Sequence, residues 1–439
     1  MACFAAKGGK DLDIGDRELD ELFSQSLARA LSEAGSGPVL LAPPDITRFH
    51  SRAGFLTDVA ARELGALEKT GKTCRLGAVL PALGTHMPMT GEELRRMFPG
   101  TPPGKFRVHD WRNDVTSLGR LEASWVETVT EGKVRYDWPV QVNRLLVEGG
   151  FSLIVCLGQV VPHEVVGMAS HSKNLLVGAG GKEAIDKSHF AGASYGMERV
   201  MGRADTPVRA MFDEGLRRFG HKLPPVLYAL TVIGTRRDRG SSSLAVRGFY
   251  SGFGRECFEQ ASALAREVNV DILEEPVKKA VVWLDPGEFR TTWLGNKAVY
   301  RTRMAMAGRG ELLILAPGLE RFGEDREVDA LIRKFGYRPG SEILEKSVKE
   351  QELAENLSVA AHLIHGSSEG RFTVRYCPGP GVSRAEIESV GYEWGSLEEA
   401  LSRYDTEKLN PGWNTLADGE RIFYVPNPAL GLWATIGNF

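Results

Sequence analysis

Between Gly158 and Gly192 the chain reads GQVVPHEVVGMASHSKNLLVGAGGKEAIDKSHFAG, and this stretch restricts the possible folds more than any other. It follows Phe151-Ser-Leu-Ile-Val-Cys156, an apolar, partly β-branched run with the length of a buried strand. His163, His171, Lys173 and His189 then fall close together among small residues. Glycine lets a backbone approach a ligand closely. Histidine can ligate a metal or carry a proton near neutral pH, and a deprotonated lysine amine can attack carbonyl-type carbon. Pro162 stiffens the approach to His163. A strand followed by such a loop reads as a cofactor cradle, not a structural linker.

The segments before it supply the frame. DRELDELFSQSLARALSEAG, from Asp16, places Leu19, Leu22, Phe23, Leu27, Ala30 and Leu31 at helical spacing, with Gly35 as its stop. The strand-like PVLLA follows, then Pro43-Pro-Asp45-Ile-Thr-Arg48, a helix over Gly54 to Thr70, and a strand over Arg75 to Leu83. Strand, polar turn, helix, strand is the rhythm of a parallel α/β sheet. Ligands of such sheets sit beyond the carboxyl ends of the strands. Asp45, Arg48, His86 and His163 all occupy that position. Thr90 with Glu93 predicts a capping box opening a short helix. Residues Leu118 to Pro139 read as a hairpin turning at Glu131-Gly132, and Arg107 to Trp111 as a polar-aromatic corner containing His109. Further on, Pro207–Phe219 and Arg255–Val268 read as helices, Val226–Ile233 as a strand, and Arg236–Ser243 as a mobile loop or insertion.

A second α/β unit is expected from about residue 270: strands at Ala280–Leu284, Glu311–Pro317 and Phe372–Cys377, and helices at Thr292–Ala307, Asp325–Phe335 and Ser347–His365. The domain reading is 1–268 for an N-terminal cofactor-binding catalytic domain, 269–410 for a C-terminal α/β domain, and 411–439 for an aromatic tail packing back on the body. The fold class is two α/β domains with mainly parallel sheets and the active site in the cleft between them.

Composition excludes several functions. With 54 Lys+Arg against 57 Asp+Glu and a net charge of −3, spread along the chain, no nucleic-acid track exists. Cys3, Cys74, Cys156, Cys257 and Cys377 are isolated and odd in number, so neither a disulfide framework nor a zinc knuckle is indicated. The N-terminus is too polar for a signal peptide, and no apolar span approaches the roughly 18 residues of a membrane helix. A soluble, cytoplasmic protein with no membrane partner is expected. GxxxxGK[ST] is absent, and no GxGxxG follows a strand in the required context. Ser170-His171-Ser172-Lys173 with Asn174-Leu-Leu-Val-Gly-Ala-Gly-Gly181 nonetheless resembles a phosphate-cradling loop.

Taken together, Asp45-Ile-Thr-Arg48, Gly84-Thr-His86 before Thr-Gly-Glu-Glu, Val161-Pro-His163, Lys173 with its glycine-rich follow-on, His189 and Lys297 resemble the nickel-dependent lactate racemase family in order and spacing. The resemblance implies a two-domain isomerase that inverts C2 of a 2-hydroxy acid. It implies a nickel-pincer nucleotide (pyridinium-3,5-bisthiocarboxylic acid mononucleotide nickel), covalently attached to Lys173, with His189 as the protein ligand to nickel. His86 and His163 would be the acid/base pair, Asp45 and Arg48 would support the cofactor, and Lys297 would meet the substrate carboxylate beside Trp293. Cofactor-biosynthesis enzymes would be transient partners. Leu294 stands in place of the glutamine of lactate-specific members, and Trp293 in place of a tyrosine. A larger or sugar-type 2-hydroxy acid is therefore expected instead of lactate. Ser-His-Ser-Lys has less glycine than many members carry, and His171 is an extra imidazole, either structural or a partner of a ligand. Two other readings are a hydrolase with a metal held by His86, His163 and His189, and a non-catalytic carrier of the nickel nucleotide.

Overall fold

The computed structural model describes residues 3–235 and 243–439. Apart from Ser243, the expected Arg236–Ser243 loop lies outside the described residues. The chain forms two compact units, Met1–Ala191 with Val200–Asn269, and Gly192–Arg199 with Val270–Phe439.

In the first unit β1 (Ala5–Gly8) precedes α1 (Asp16–Ala34), β2 (Pro38–Ala42), a 3₁₀ turn (Ile46–Ser51), α2 (Ala53–Lys69), β3 (Arg75–Val79) and α3 (Gly91–Met97). Then come β4 (Val115–Leu121), α4 (Ala123–Val129), β5 (Trp138–Asn143), α5 (Leu145–Glu148), β6 (Leu153–Gln159), β7 (Pro162–His163) and β8 (Gly167–Met168). A π-helical turn at Asn174–Gly178 leads to α6 (Lys182–Tyr195) and α7 (Met197–Val200), of which the stretch Gly192–Arg199 is counted with the second unit. The unit closes with α8 (Pro207–Phe219), β9 (Val226–Thr235), β10 (Leu244–Gly252) and α9 (Glu256–Asn269). Six strands form one sheet in the order β1-β10-β9-β6-β2-β3. The four from β9 to β3 are parallel, and β10 and β1 continue it antiparallel.

Strand parity divides the core. Leu153, Val155 and Leu157 of β6 pack with α1 and α2, where Leu19, Phe23 and Leu27 are buried at the predicted helical spacing. Ile154 and Cys156 face the opposite layer with α6, α8 and α9. Each such fully buried Leu or Phe contributes about 1.5–3 kcal/mol, which outweighs the exposed charges of α1 in fixing its face. Burial pushes the Cys156 thiol up to about 12, so it is an inert reduced cysteine.

Two segments of this unit differ from the expected elements. Residues 118–139 are not a simple hairpin. β4 and β5 do pair antiparallel, but α4 lies between them, and Glu131 and Gly132 (φ 55° and 75°) end that helix. The strand from Arg75 stops at Val79, ahead of Pro81, which cannot donate to a ladder.

The second unit contains β11 (Val270–Leu273), β12 (Val277–Trp283), α10 (Thr292–Gly295), α11 (Lys297–Thr302), β13 (Met306–Ala316), α12 (Arg326–Phe335), α13 (Gly340–Lys349), α14 (Gln351–Ala354) and α15 (Leu357–Gly366). It continues with β14 (Thr373–Pro378), α16 (Arg384–Ser389), β15 (Glu393–Trp394), α17 (Leu397–Arg403), β16 (Gly412–Thr415), β17 (Arg421–Val425) and β18 (Leu432–Thr435). Its sheet runs β15-β14-β13-β12-β17-β16, parallel except for β16. β18 pairs separately with β11. The helix expected over Thr292–Ala307 is two short ones, α10 and α11, and ends at Thr302, because Met306 already begins β13. The one expected over Ser347–His365 is three helices, broken at Glu350 by an extended backbone (φ −102°, ψ 111°) and again before Leu357. No helix among the described residues is long and apolar enough to cross a membrane.

Candidate active site

The carboxyl end of the first sheet gathers the polar residues. Asp45, at the end of β2, is 4 % exposed and caps the 3₁₀ turn by accepting from the Thr47 N–H at 3.1 Å and the Thr47 hydroxyl at 2.5 Å. Its other oxygen lies 2.6 Å from Nδ1 of His86, in the turn after β3. Burial pushes the Asp45 carboxyl up, but the His86 ring, the Thr47 bonds and Arg48 together hold it below its ordinary value. An ionised Asp45 only accepts, so the His86 proton resides on Nδ1 and the lone pair of a neutral ring is on Nε2.

His163, in β7, is also buried, and its Nδ1 accepts the backbone N–H of Val165 at 3.2 Å. The neutral ring therefore carries its proton on Nε2, the opposite tautomer to His86. The Glu164 carboxylate lies 3.6 Å from the same Nδ1 and suits the protonated ring. Sequence reasoning missed Glu164; its only signal was a single acid in the otherwise apolar Val-Val-Pro-His-Glu-Val-Val.

Lys173 is presented by an unusual backbone. Ser170 and His171 both have positive φ, 70° and 58°, each costing on the order of 1–3 kcal/mol for a residue with a Cβ. Arg209 of α8, wholly buried, holds this kink. Its guanidinium donates to the Met168 carbonyl at 2.6 Å, to the Ser172 hydroxyl at 2.7 Å and, more weakly, to the Ser170 carbonyl. Ser172 in turn donates to Asp213 at 3.1 Å. The His171 ring stacks on Tyr228 at 3.8 Å between centroids, and burial followed by the Arg209 and Arg255 charges keeps it neutral. Gly158 permits the loop to lie on β6, since a Cβ there would collide with the Ser170 hydroxyl and the Asn174 amide. Neither Arg209 nor Asp213 was singled out from the sequence, although an arginine on the apolar face of Pro-Val-Arg-Ala-Met-Phe was a usable sign.

The Lys173 amine is lowered to about 8 by burial and then by Arg48, against the opposing Glu164 and Asp45 carboxylates. Near neutral pH an appreciable fraction is therefore the nucleophilic free amine. Downstream, Gly84 N–H donates to the Gly178 carbonyl at 2.8 Å, tying the His86 turn to the lysine loop. His109 donates from Nε2 to the Gly180 carbonyl and accepts from the Asn143 amide at Nδ1, both at 2.9 Å. His189, on α6, donates from Nδ1 to the Ile185 carbonyl at 2.8 Å, which puts the lone pair of the neutral ring on Nε2. Burial, followed by the Lys173 charge, lowers its pKa and favours that neutral ring.

Thus Asp45, Arg48, His86, His163, Lys173 and His189 belong to one electrostatic neighbourhood in the first unit. Trp293 and Lys297 lie in the second unit, one helical turn apart and both half-buried among fully buried neighbours.

The residues of the first unit fit the implied nickel nucleotide. A lysine of lowered pKa stands beside a histidine whose Nδ1 is fixed and whose Nε2 is available as a ligand. A buried Nη1 of Arg48 and both amide atoms of Gln159, at the end of β6, have no protein partner, as a polar ligand would require. Among the described residues no three His, Cys, Asp or Glu side chains converge as a metal-ligand set. The three-histidine site of the hydrolase reading is therefore not assembled.

Residues 14–200 match the family described as lactate racemase N-terminal domain. No curated protein matches the chain. Among solved structures the chain is similar to a Thermotoga maritima protein from structural genomics, at 23% identity and a TM-score of 0.79, covering 98% of this chain and 100% of that one. It is also similar to the lactate racemase apoprotein of Thermoanaerobacterium thermosaccharolyticum, at 15% identity and a TM-score of 0.68, covering 98% and 94%. At these identities the two structures speak for the fold.

Proposed function

We propose, from the match of residues 14–200 to the lactate racemase N-terminal domain family, that the protein is a racemase or epimerase inverting C2 of a 2-hydroxy acid with a nickel-pincer nucleotide held by Lys173 and His189. The observation that carries this reading is the pair of imidazoles fixed as opposite tautomers, His86 by Asp45 and His163 by Val165. Inversion needs a proton taken from the substrate hydroxyl on one side and returned on the other. A mere carrier of the nucleotide has no use for such a pair.

When bound, the cofactor would supply a hydride acceptor for the C2 hydrogen, which is too weakly acidic beside a carboxylate to leave readily as a proton. The chain's own residues handle the hydroxyl proton. His86 offers an unprotonated Nε2 to the hydroxyl, and Asp45 stabilises the imidazolium that results. His163 offers Nε2–H to the substrate oxygen when neutral, and Glu164 supports its protonated, acidic form. For the other enantiomer the His163 ring would start with its proton on Nδ1, toward Glu164, and take the hydroxyl proton at Nε2, while the His86 imidazolium would return one. Lys297 would hold the substrate carboxylate, and the Trp293 indole would pack on the carbon chain beyond C2. A half-buried indole with an ammonium one helical turn away suits a longer or hydroxylated chain better than the methyl of lactate.

The test is peptide mass mapping after co-production with cofactor-making enzymes. The Lys173 peptide should carry the adduct and Lys173→Ala should carry none. His189→Ala should keep the adduct while losing most nickel, because attachment and ligation are separate bonds. An adduct on another lysine ends the assignment.

A further inference from the structure

In the second unit the Trp293 indole lies against the His362 imidazole, centroids 4.4 Å apart and planes inclined by 30°. His362 is buried on α15, far from Trp293 in sequence. Its Nε2 lies 2.9 Å from the Tyr337 hydroxyl, which lies 2.7 Å from the Thr292 hydroxyl, which lies 3.0 Å from the Phe322 carbonyl. That carbonyl only accepts. Running the chain from His362 Nε2–H through Tyr337 and Thr292 to Phe322 makes all three bonds; the reverse polarity makes two and sets two oxygen lone pairs face to face. With His362 donating from Nε2, all three of these bonds are satisfied. Tyr337 is itself held by stacking on Tyr392, 4.5 Å apart and 13° from parallel. Phe322 also accepts the backbone N–H of Trp293 at 2.9 Å, so the chain of bonds closes on the residue it supports.

We propose that His362, oriented by Tyr337, is a positioning residue that sets the pose of the Trp293 indole and thereby selects the chain length of the 2-hydroxy acid. This rests on the reading above, in which Trp293 and Lys297 meet the substrate. The imidazole is the flat wall behind the indole, and without it the indole has a void to tilt into. Loss of that wall costs discrimination beyond C2.

The test uses His362→Leu, His362→Gln and Tyr337→Phe in the full chain, with Trp293→Phe as reference. Subtracting the emission of Trp293→Phe isolates the Trp293 signal, and acrylamide reports its accessibility in cofactor-free protein. The quenching constant should rise about two-fold in His362→Leu and Tyr337→Phe. His362→Gln, whose amide N–H can still reach the Tyr337 oxygen, should restore most of the protection. In loaded enzyme, the KM spread across lactate, glycerate and gluconate should narrow by about ten-fold in the first two variants, with kcat within about two-fold. Unchanged quenching and an unchanged KM spread in both would overturn the proposal while leaving the racemase reading in place. If Trp293→Phe itself leaves every KM unaltered, the placing of substrate on Trp293 falls and this proposal falls with it. Loss of the Lys173 adduct in wild-type protein would instead count against the cofactor reading alone.

Discussion

Asp45→Asn isolates the tautomer of one imidazole with little change in shape. The carboxylate makes three contacts, Oδ1 to the N–H and hydroxyl of Thr47 and Oδ2 to His86 at 2.6 Å. The two Thr47 donors require oxygen at Oδ1, so the asparagine NH₂ must replace Oδ2 and face His86. An amide N–H can only donate to Nδ1, which drives the imidazole proton to Nε2 and leaves no base toward the substrate. A positioned acid/base group is worth roughly 10²–10⁴ in rate, or about 3–5 kcal/mol of barrier at about 1.4 kcal/mol per tenfold. The fold loses one charge-assisted hydrogen bond, about 1.5–3 kcal/mol. Polarimetry on loaded enzyme, with the 2-hydroxy acid that wild type inverts fastest, should show kcat falling by at least 10²-fold in both directions. The Lys173 adduct should be retained, and the thermal midpoint should shift by only a few degrees. The carboxyl pKa is depressed, so the stability Asp45 contributes is present above its unfolded value near 4 and is lost only as pH falls through the still lower folded value. A rate loss between pH 6 and 8 is thus not acid titration of Asp45. Wild-type kcat in Asp45→Asn would refute the tautomer argument.

Two further outcomes follow from the groups that hold the loop. Burial depresses the His109 pKa, so the unfolded chain binds the proton more readily; the stability from its bonds to Gly180 and Asn143 is complete above about pH 6.5 and declines as pH falls from there toward the folded pKa. Thermal melts from pH 8 to 5 should show a steeper loss for wild type than for His109→Gln, and equal slopes would refute the assignment. Arg209→Met strips donors from the Met168 and Ser170 carbonyls and a counter-charge from Asp213, and urea unfolding should show a loss of about 3–5 kcal/mol. A change below about 1 kcal/mol would mean that Arg209 does not hold the Ser170-His171 kink.

What the sequence disclosed depended on how local the signal was. The face of α1, strands β2 and β9, helix α8 and the Thr90–Glu93 capping box all formed as expected, because each rests on neighbours within a turn or two. The α4 segment misled because Val126, Val129 and Thr130 favour extended backbone, and burial of Val126 against the β4–β5 pair outweighs that preference. The Asp45–His86 contact was foreshadowed by two loops at adjacent strand ends. His362 gave no local sign at all, since its partners Trp293 and Tyr337 are brought to it only by the tertiary fold. The same holds for Arg209, whose acceptors lie about forty positions earlier.

The strand order of the second sheet has a bearing on how the protein is made. β12 lies between β13 and β17, and β17 is synthesised more than a hundred residues after it. During translation β13 can dock against one edge of β12 early, while the other edge, from Ala280 to Val282, stays open until Phe423–Val425 emerges. An open, apolar parallel edge is where nascent chains pair with one another. Slow synthesis or early termination anywhere between these strands should therefore favour aggregation over a soluble, shortened product, and holdase chaperones would find their target in the Ala-Val-Val segment of β12.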